Sequence, residues 1–268
     1  LWFNKKLKMK KLTKIVLLLC FISFNGCKNE TSKKPVLEKE TASKKDRQLN
    51  SVAKKIDEII IDGIANEKTW ENSPWIPINQ VWLGNATDSI DFFGQYKLSW
   101  SKSGLYVLVE ITDDVLRDVF ENPLERWWDE DCVEIFIDED NSGGNHQFNH
   151  NAFAYHVDTY GNVVDIIARD TPKLFNDHIE SKRVTLGNKS IWEFHINLYR
   201  DSFKYDKLNQ IIQLQANKKI GFAIAYCDND TSETRENFFG SVVVDGNDKN
   251  RGWIDATIFG TIVLKNQH

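Results

Sequence analysis

The sequence predicts an all-β fold: a single antiparallel β-sandwich of the jelly-roll type, preceded by a signal peptide and a disordered tether. Short apolar runs with a period of two recur along residues 56–268, and clusters of Gly, Asn, Ser and Lys separate them. One all-β domain can fill these 213 residues. Helical periodicity is scarce, and only Asp201 to Gln210 is predicted to form a short helix.

Two runs carry the prediction of a sandwich of two sheets. Residues Leu105 to Ile111 are apolar except at Glu110, as expected for a central strand. Residues Trp192 to Leu198 place an apolar stripe opposite three polar side chains, as expected for a strand with one face on the core. The predicted strands are Tyr96–Trp100, Leu105–Ile111, Cys132–Asp138, Gln147–Val157, Val163–Ala168, Ile191–Leu198, Ile220–Cys227, Phe238–Val244 and Ile258–Leu264.

The first 27 residues have the pattern of a lipoprotein signal peptide. Met9 is the only methionine, so translation is expected to start there, with residues 1–8 as upstream read-through. A basic stretch and a short apolar run then lead to Gly26 and Cys27. Residues 9–27 are therefore predicted as the signal peptide, with Cys27 lipidated and the protein at the outer membrane or cell surface, on either face. The alternative is ordinary cleavage near Gly26, which would leave a free thiol.

Residues 28–55 are predicted as a flexible linker, because their Lys, Ser, Thr and Glu cannot bury enough apolar surface to fold. The chain from residue 56 to residue 268 forms the predicted sandwich. It carries 19 basic and 35 acidic side chains. A surface with this net charge repels nucleic acid, so a neutral glycan or a cation is the expected partner, with membrane contact only through the lipid anchor.

Two adjacent indoles, Trp127 and Trp128, precede a predicted strand that carries several carboxylates. An extended chain cannot point both indoles inward, so one of them is expected to be exposed. Glu134 lies on the face of this strand that does not point to the core. An indole covers the apolar C–H face of a sugar ring while a nearby carboxylate accepts from its hydroxyls, so the pattern favours carbohydrate.

A run of oxygen ligands follows the same strand. Asp138, Asp140 and Asn141 could bind a structural Ca²⁺, the only cofactor that the sequence predicts, although the run also has the composition of a hairpin turn. Asp228 and Asp230 are a second, weaker candidate pair.

The histidines and the cysteines of the folded part leave other possibilities open. His146, His150 and His156 share a parity on one predicted strand, but no further ligand completes a zinc site, so surface or hydrogen-bonded histidines are expected. Cys132 and Cys227 are compatible with a disulfide or with two buried thiols.

Several blocks, in this order, resemble the carbohydrate-binding modules of family 9 and their sugar-binding relatives, over nearly all of Ile61 to Leu264. The resemblance implies a β-sandwich, a sugar ligand and structural calcium. The matching blocks are Ile61-Asp62-Gly63 with Trp70, Gly104 to Val107 with Ile111 to Asp114, Trp128 to Asp138, Ile220 to Ile224 with Asp228 and Asp230, and Phe259 to Leu264.

The same resemblance implies a set of binding residues. In sugar-binding members two tryptophans enclose the terminal ring, with a glutamate beside the first and an asparagine beside the second. Trp128 and Glu134 match the first pair in spacing, and Asn250 and Trp253 match the second. The family also uses a basic residue on the strand that follows the acidic loop. Asn149 is assigned to that place, and this departure leaves the identity of the sugar open.

The predicted function is non-catalytic binding of a glycan end in extracytoplasmic polysaccharide breakdown or uptake. The first alternative is a structural or protein-interaction lipoprotein with the same fold and no sugar site. The second is a module associated with xylanase-type glycoside hydrolysis, since family 9 modules usually accompany such hydrolases. No catalytic residue is predicted here, because the sequence marks no pair of carboxylates with distinct acid and base roles. Any hydrolysis is assigned to a separate partner enzyme.

Overall fold

The structure, a computed structural model, describes residues 49–266. The predicted signal peptide, Cys27 and the linker up to residue 48 lie outside this range. In chain order the elements are β1 (Leu49–Ala53), α1 (Lys68–Asn72), β2 (Ile76–Ile78), β3 (Gln80–Leu83), β4 (Phe92–Trp100), β5 (Leu105–Asp113), β6 (Cys132–Asp138), β7 (Phe153–Asp158), β8 (Val163–Ile167), β9 (Thr171–Leu174), β10 (Ile179–Leu186), β11 (Lys189–Ile196), β12 (Lys219–Asp228), β13 (Asn237–Gly240) and β14 (Gly260–Lys265), with 3₁₀ turns at Arg251–Trp253 and Ala256–Ile258.

The strands form two sheets, which confirms the predicted sandwich. The larger sheet has nine strands in the order β1-β14-β12-β6-β7-β8-β9, with β13 paired to β12 and to β3. The smaller sheet has five strands in the order β10-β11-β5-β4-β2. All pairs are antiparallel except β1 and β14, which run parallel. Antiparallel sheets with one face on a shared core produce the period of two seen in the sequence.

The main core lies between the two sheets. Val107 and Val109 of β5, Phe194 of β11 and Ile135 of β6 are buried there, in agreement with the predicted apolar stripes. Burial of this apolar surface is the dominant favourable term in folding.

A second apolar cluster covers the outer face of the larger sheet and determines where the candidate site lies. Phe136 of β6 and Phe238 of β13 pack with Phe259, and Trp253 packs against the same cluster. The segment after β13 therefore folds back over β6 and β12, and it leaves Glu134 beside the edge of this cover.

The Ile61-Asp62-Gly63 block is fixed on the outer face of the smaller sheet by a buried carboxylate. Glu193 of β11 accepts hydrogen bonds from the backbone N–H groups of Asp62 (3.1 Å) and Gly63 (2.9 Å). It also accepts from Nε1 of Trp70 at 2.9 Å. Gly63 has a φ of 81°, and a Cβ there would lie 2.7 Å from a side-chain carbon of Val184. This position therefore requires glycine.

Four sequence predictions about the fold need correction. Residues 201–210 form turns and bends, so the predicted helix is wrong, and α1 lies at Lys68–Asn72. β1 belongs to the larger sheet, so the folded part begins within the predicted linker. The strand predicted from Gln147 starts only at Phe153, and the strand predicted to reach Val244 ends at Gly240. Within residues 49–266, no helix has the length and apolar character needed to span a membrane.

Candidate functional site

A cavity of about 310 Å³ opens beside the cover on the outer face of the larger sheet. It brings together four of the five sequence-predicted ligand residues, Trp128, Glu134, Asn250 and Trp253, which lie far apart in the sequence. Its other lining residues are Trp127, Ala154, His156, Asp165, Ile166, Asp170 and Arg235. The cavity combines apolar rings with a few polar groups, as small-ligand sites usually do.

Glu134 is the polar centre of the cavity. It lies on β6 opposite His156 of β7 and is 3% exposed. Its Oε1 accepts from Nε2 of His156 at 2.6 Å, from Nη1 of Arg235 at 3.1 Å and from Sγ of Cys227 at 3.3 Å. Burial favours the neutral acid, but the charge and hydrogen bond of His156 and the charge of Arg235 outweigh it and hold the pKa of Glu134 below its usual value. Glu134 is therefore an ionised acceptor.

Arg235 connects the two walls of the cavity. While Nη1 binds Glu134, Nη2 donates to Oδ1 of Asn250 at 3.0 Å. The guanidinium also lies over the ring of Phe238, 4.1 Å from its centroid. Because the amide oxygen of Asn250 faces Arg235, the amide NH₂ is left to donate to a ligand. Arg235 thus fixes the orientation of a predicted binding residue.

The two adjacent indoles have different environments. Trp128 is 39% exposed, whereas Trp127 is partly buried and meets it edge to face, with ring centroids 4.4 Å apart. Trp127 also meets the ring of His156 edge to face at 6.3 Å. The prediction that one indole of the pair is exposed is confirmed.

Trp253 lies on a 3₁₀ turn, with part of its surface on the apolar cover and part on the cavity. Its neighbour Gly252 is held close to the sheet, where a Cβ would come within 3.0 Å of Phe136. The carbonyl oxygen of Gly252 accepts a hydrogen bond from Nε2 of His146 at 2.7 Å. These contacts fix the turn and place the Trp253 indole at the edge of the cavity.

Asn149 is the predicted ligand residue that does not line the cavity. It is exposed in a turn, where its amide donates to the carbonyl of Gln147 at 3.3 Å and its Oδ1 accepts from the N–H of Asn151 at 2.8 Å. Phe148 has a φ of 61°, a left-handed conformation that strands do not adopt. The cavity's basic groups are instead His156 and Arg235.

The predicted calcium loop contains an orphaned buried oxygen. Oδ2 of Asp138 accepts from the N–H of Gly143 at 2.6 Å, whereas Oδ1 is buried and has no hydrogen-bond partner within residues 49–266. Burial is the main cause that raises the pKa of Asp138 to about 6. Asp140 accepts from the N–H of Ser142, and Asn141 accepts from the hydroxyl of Thr261. The side-chain atoms of Asp138, Asp140 and Asn141 that could bind a metal are oxygens, the type of ligand atom that Ca²⁺ prefers.

Two further groups of carboxylates lie around the end of β12, at the second calcium candidate. Asp113, Asp131 and Asp228 are buried, and one oxygen of each lies within 4.8 Å of the others. Burial, reinforced by the charge of the neighbouring Asp113, raises the pKa of Asp131, and burial raises the pKa of Asp228 to about 7. The other group consists of Asp91, Asp114 and Asp230.

The two cysteines of the folded part face each other across β6 and β12 as free thiols. Both are buried, and Sγ of Cys227 lies 3.0 Å from Nη1 of Arg235. Burial raises the pKa of the Cys132 thiol well above its usual value, so this thiol stays protonated. Of the two states left open by the sequence, the structure has the buried thiols.

Sequence reasoning missed four polar residues of the cavity, one of which, Asp170, is exposed in the turn after β8. His156 was grouped with His146 and His150, but only His156 lies on a strand. Arg235 is in an irregular loop, where periodicity gives no signal. Asp165 is the single acid of β8, and a charged residue inside an apolar strand was a signal that could have identified it.

Two solved structures have a similar fold. A family 9 carbohydrate-binding module from Caldicellulosiruptor kristjanssonii in complex with cellotriose is 21% identical, with a TM-score of 0.63 over 82% of this chain and 95% of that chain. A second structure, a family 9 module from the same organism in complex with glucose, is 20% identical, with a TM-score of 0.60 over 82% of this chain and 97% of that chain. At these identities the similarity concerns the fold alone.

The sequence is also similar to part of an enzyme. Endo-1,4-beta-xylanase A of Thermotoga neapolitana is 35% identical over 86 residues, which are 31% of this chain and 7% of the xylanase. The match therefore spans only a small part of that protein. A much longer match, over residues 61–267, is to the family described as carbohydrate family 9 binding domain-like. The protein belongs to this family.

Proposed function

We propose that this protein binds a neutral glycan without catalysis, and that the terminal sugar ring lies between Trp128 and Trp253. The observation that carries the proposal is that both indoles line one cavity together with Glu134 and Asn250. An indole stacks on the C–H face of a sugar ring, and polar groups at its edge fix the orientation of the ring.

The polar groups of the site define what the sugar must offer. Within residues 49–266, each hydrogen bond to the side chain of Glu134 ends on Oε1, and the side chain lines the cavity. Oε2 is therefore available as an acceptor for sugar hydroxyls. The amide NH₂ of Asn250 is available as a donor. One acceptor and one donor beside two rings suit an uncharged ring with several hydroxyls.

Family membership and the similar structures support this choice of ligand. The two similar modules were solved with cellotriose and with glucose, both neutral sugars. These sugars are therefore the first probes for binding. Hydrolysis is assigned to a separate enzyme, because the similarity to a xylanase covers only a small part of that enzyme.

The cellular setting is proposed from the sequence. The basic segment, the apolar run and Cys27 support export and a lipid anchor at the outer membrane or cell surface. In that setting a glycan-binding domain would hold polysaccharide near a partner glycoside hydrolase. An intact mass of the membrane-extracted protein without an acyl addition at Cys27 would contradict the anchor.

We also propose that a Ca²⁺ ion stabilises the domain at the Asp138 loop. The support is the buried Oδ1 of Asp138, which has no hydrogen-bond partner among the described residues, together with the nearby oxygens of Asp140 and Asn141. A bound cation would compensate the charge of Asp138 and favour its ionised form.

Isothermal titration calorimetry with cellotriose and glucose tests the binding site. We expect Trp128→Ala to weaken binding at least tenfold, about 1.4 kcal/mol, while the melting temperature stays nearly unchanged. Trp75→Ala is the matched control, because Trp75 is 38% exposed and Trp128 is 39% exposed, but Trp75 does not line the cavity. Unchanged affinity of Trp128→Ala would refute the site and favour the alternative, a structural lipoprotein without a sugar site.

A further inference from the structure

Asp165 is a buried acid in the wall of the cavity. It lies on β8 between the apolar residues Val164 and Ile166, is 5% exposed, and lines the same cavity as Trp128 and Glu134. A side chain of this type is seldom buried without a charged partner, so its presence beside a ligand cavity calls for a physical explanation.

The hydrogen bonds of Asp165 come from the backbone. Its Oδ2 accepts from the N–H of Ala154 at 3.2 Å, and its Oδ1 accepts from the N–H of Ile166 at 2.7 Å. Within residues 49–266 no ion pair includes Asp165. Arg235, the arginine that lines the same cavity, is bound to Glu134 and Asn250.

The surroundings of Asp165 favour its neutral form. Burial is the main cause, and the negative charge of Glu134 adds to it, so that the pKa of Asp165 is raised to about 8. Lys173 is its register partner on β9, but the ammonium of Lys173 lies over the ring of Tyr205, 5.7 Å from the centroid. The titratable groups around it are Tyr155 and His156 from β7, Glu134 from β6, Lys173 from β9, and Asp170 from the turn after β8.

We infer that Asp165 is a specificity-determining residue of the site: its neutral carboxyl donates a hydrogen bond to an oxygen of the sugar that lies between the two tryptophans. This inference rests on the proposed function. A protonated carboxyl is a donor, whereas a carboxylate only accepts. The site then has an acceptor in Glu134 and donors in Asn250 and Asp165. It selects sugars with an acceptor oxygen, such as a hydroxyl, at the Asp165 side of the ring.

Ionisation of Asp165 removes this donor and places a second negative charge beside Glu134. Sugar affinity should therefore fall when the pH rises above the pKa of Asp165. For a carboxyl that binds sugar only when protonated, the dissociation constant rises about tenfold between pH 7 and pH 9. A purely structural role for Asp165 would not produce this dependence on the alkaline side.

The test combines two measurements on the full-length protein. Calorimetry with cellotriose from pH 6 to pH 9 is expected to give the tenfold rise for wild type and for Asp201→Asn, an exposed control outside the cavity. Asp165→Asn keeps a donor and cannot ionise, so its dissociation constant should not rise over this range. The ¹³C signal of the Asp165 carboxyl in the sugar-free protein, assigned by its loss in Asp165→Asn, should titrate above pH 7.

The outcomes separate this inference from the proposed function. Titration of the Asp165 carboxyl below pH 5, or a wild-type affinity that is equal at pH 7 and pH 9, overturns the donor role while sugar binding stands. Absence of binding to cellotriose and to glucose at every pH overturns the proposed function and the donor role together. The pH dependence of the wild-type affinity is measured without any variant, so a variant that fails to fold leaves this part of the test intact.

Discussion

Replacement of Arg235 by Met should destabilise the folded protein strongly, although Arg235 belongs to a surface cavity. The Arg235 side chain is 10% exposed and that of its partner Glu134 is 3% exposed. Arg235→Met keeps the apolar stem that packs on Phe238 but removes the charge. It leaves the carboxylate of Glu134 buried with His156 and Cys227 as its remaining hydrogen-bond partners.

The burial of this pair determines the expected magnitude. Breaking a buried ion pair by removing one partner typically costs about 3–5 kcal/mol, because the other charge stays buried without compensation. Replacing both partners costs less, since no charge is left. The double variant Glu134→Gln, Arg235→Met should therefore be more stable than the sum of the single effects implies, with a coupling energy of about 2 kcal/mol or more.

Urea denaturation of wild type, Arg235→Met, Glu134→Gln and the double variant measures these free energies of unfolding. The control pair is Lys189 and Glu110, where the Lys189 side chain is 51% exposed, so Lys189→Met should change stability by less than about 1 kcal/mol. If Arg235→Met is no more destabilising than Lys189→Met, or if the two cavity substitutions are additive, the assignment of Arg235 as the buried counter-ion of Glu134 is refuted.

Three further predictions concern stability. Glu193→Ala should lower the free energy of unfolding by about 3 kcal/mol or more in urea denaturation, because it leaves three donors without an acceptor; a loss below 1 kcal/mol would contradict this. In EDTA, stability should fall from pH 6.5 to pH 8, by up to about 1.4 kcal/mol per pH unit for each retained proton, because Asp165 and Asp228 hold protons that the unfolded chain has lost. A flat or rising profile in this range argues against these raised pKa values. Added Ca²⁺ should raise the melting temperature of wild type but not that of Asp138→Asn. If EDTA does not change the melting temperature of wild type, the metal proposal is wrong. If Asp138→Asn responds to Ca²⁺ as wild type does, the ion binds elsewhere, and Asp131→Asn is the next variant to test.

The sequence predicts the fold well where burial imposes a strict period. The nearly continuous apolar run from Leu105 to Ile111 is typical of a strand that is buried on both faces, and the alternation in Trp192 to Leu198 is typical of a strand with one face on the main core. The structure confirms both strands. The same reasoning placed Glu134 on the face away from the main core. It could not foresee that the segment after β13 covers this face, because that contact joins residues far apart in the chain.

The candidate site was predictable only in part, for a similar reason. Arg235 lies in a loop, and its role depends on reaching Glu134 and Asn250 at once, which no local pattern encodes. Asn149, which was matched by family resemblance, does not line the cavity, and the chain turns at the left-handed backbone of Phe148 before β7 begins. Trp253 was found through family resemblance, since a three-residue turn has no periodicity.

The contacts of Glu193 have a consequence for how relatives of this protein should be compared. The Ile61-Asp62-Gly63 block and Trp70 are recognisable because they satisfy a buried carboxylate of the smaller sheet. The cavity lies on the larger sheet, on the other outer face of the sandwich. A descendant could therefore lose Trp128 or Asn250 and keep this block unchanged under selection for folding. The presence of the block in a relative indicates common ancestry, whereas the ligand of that relative has to be judged from its cavity residues.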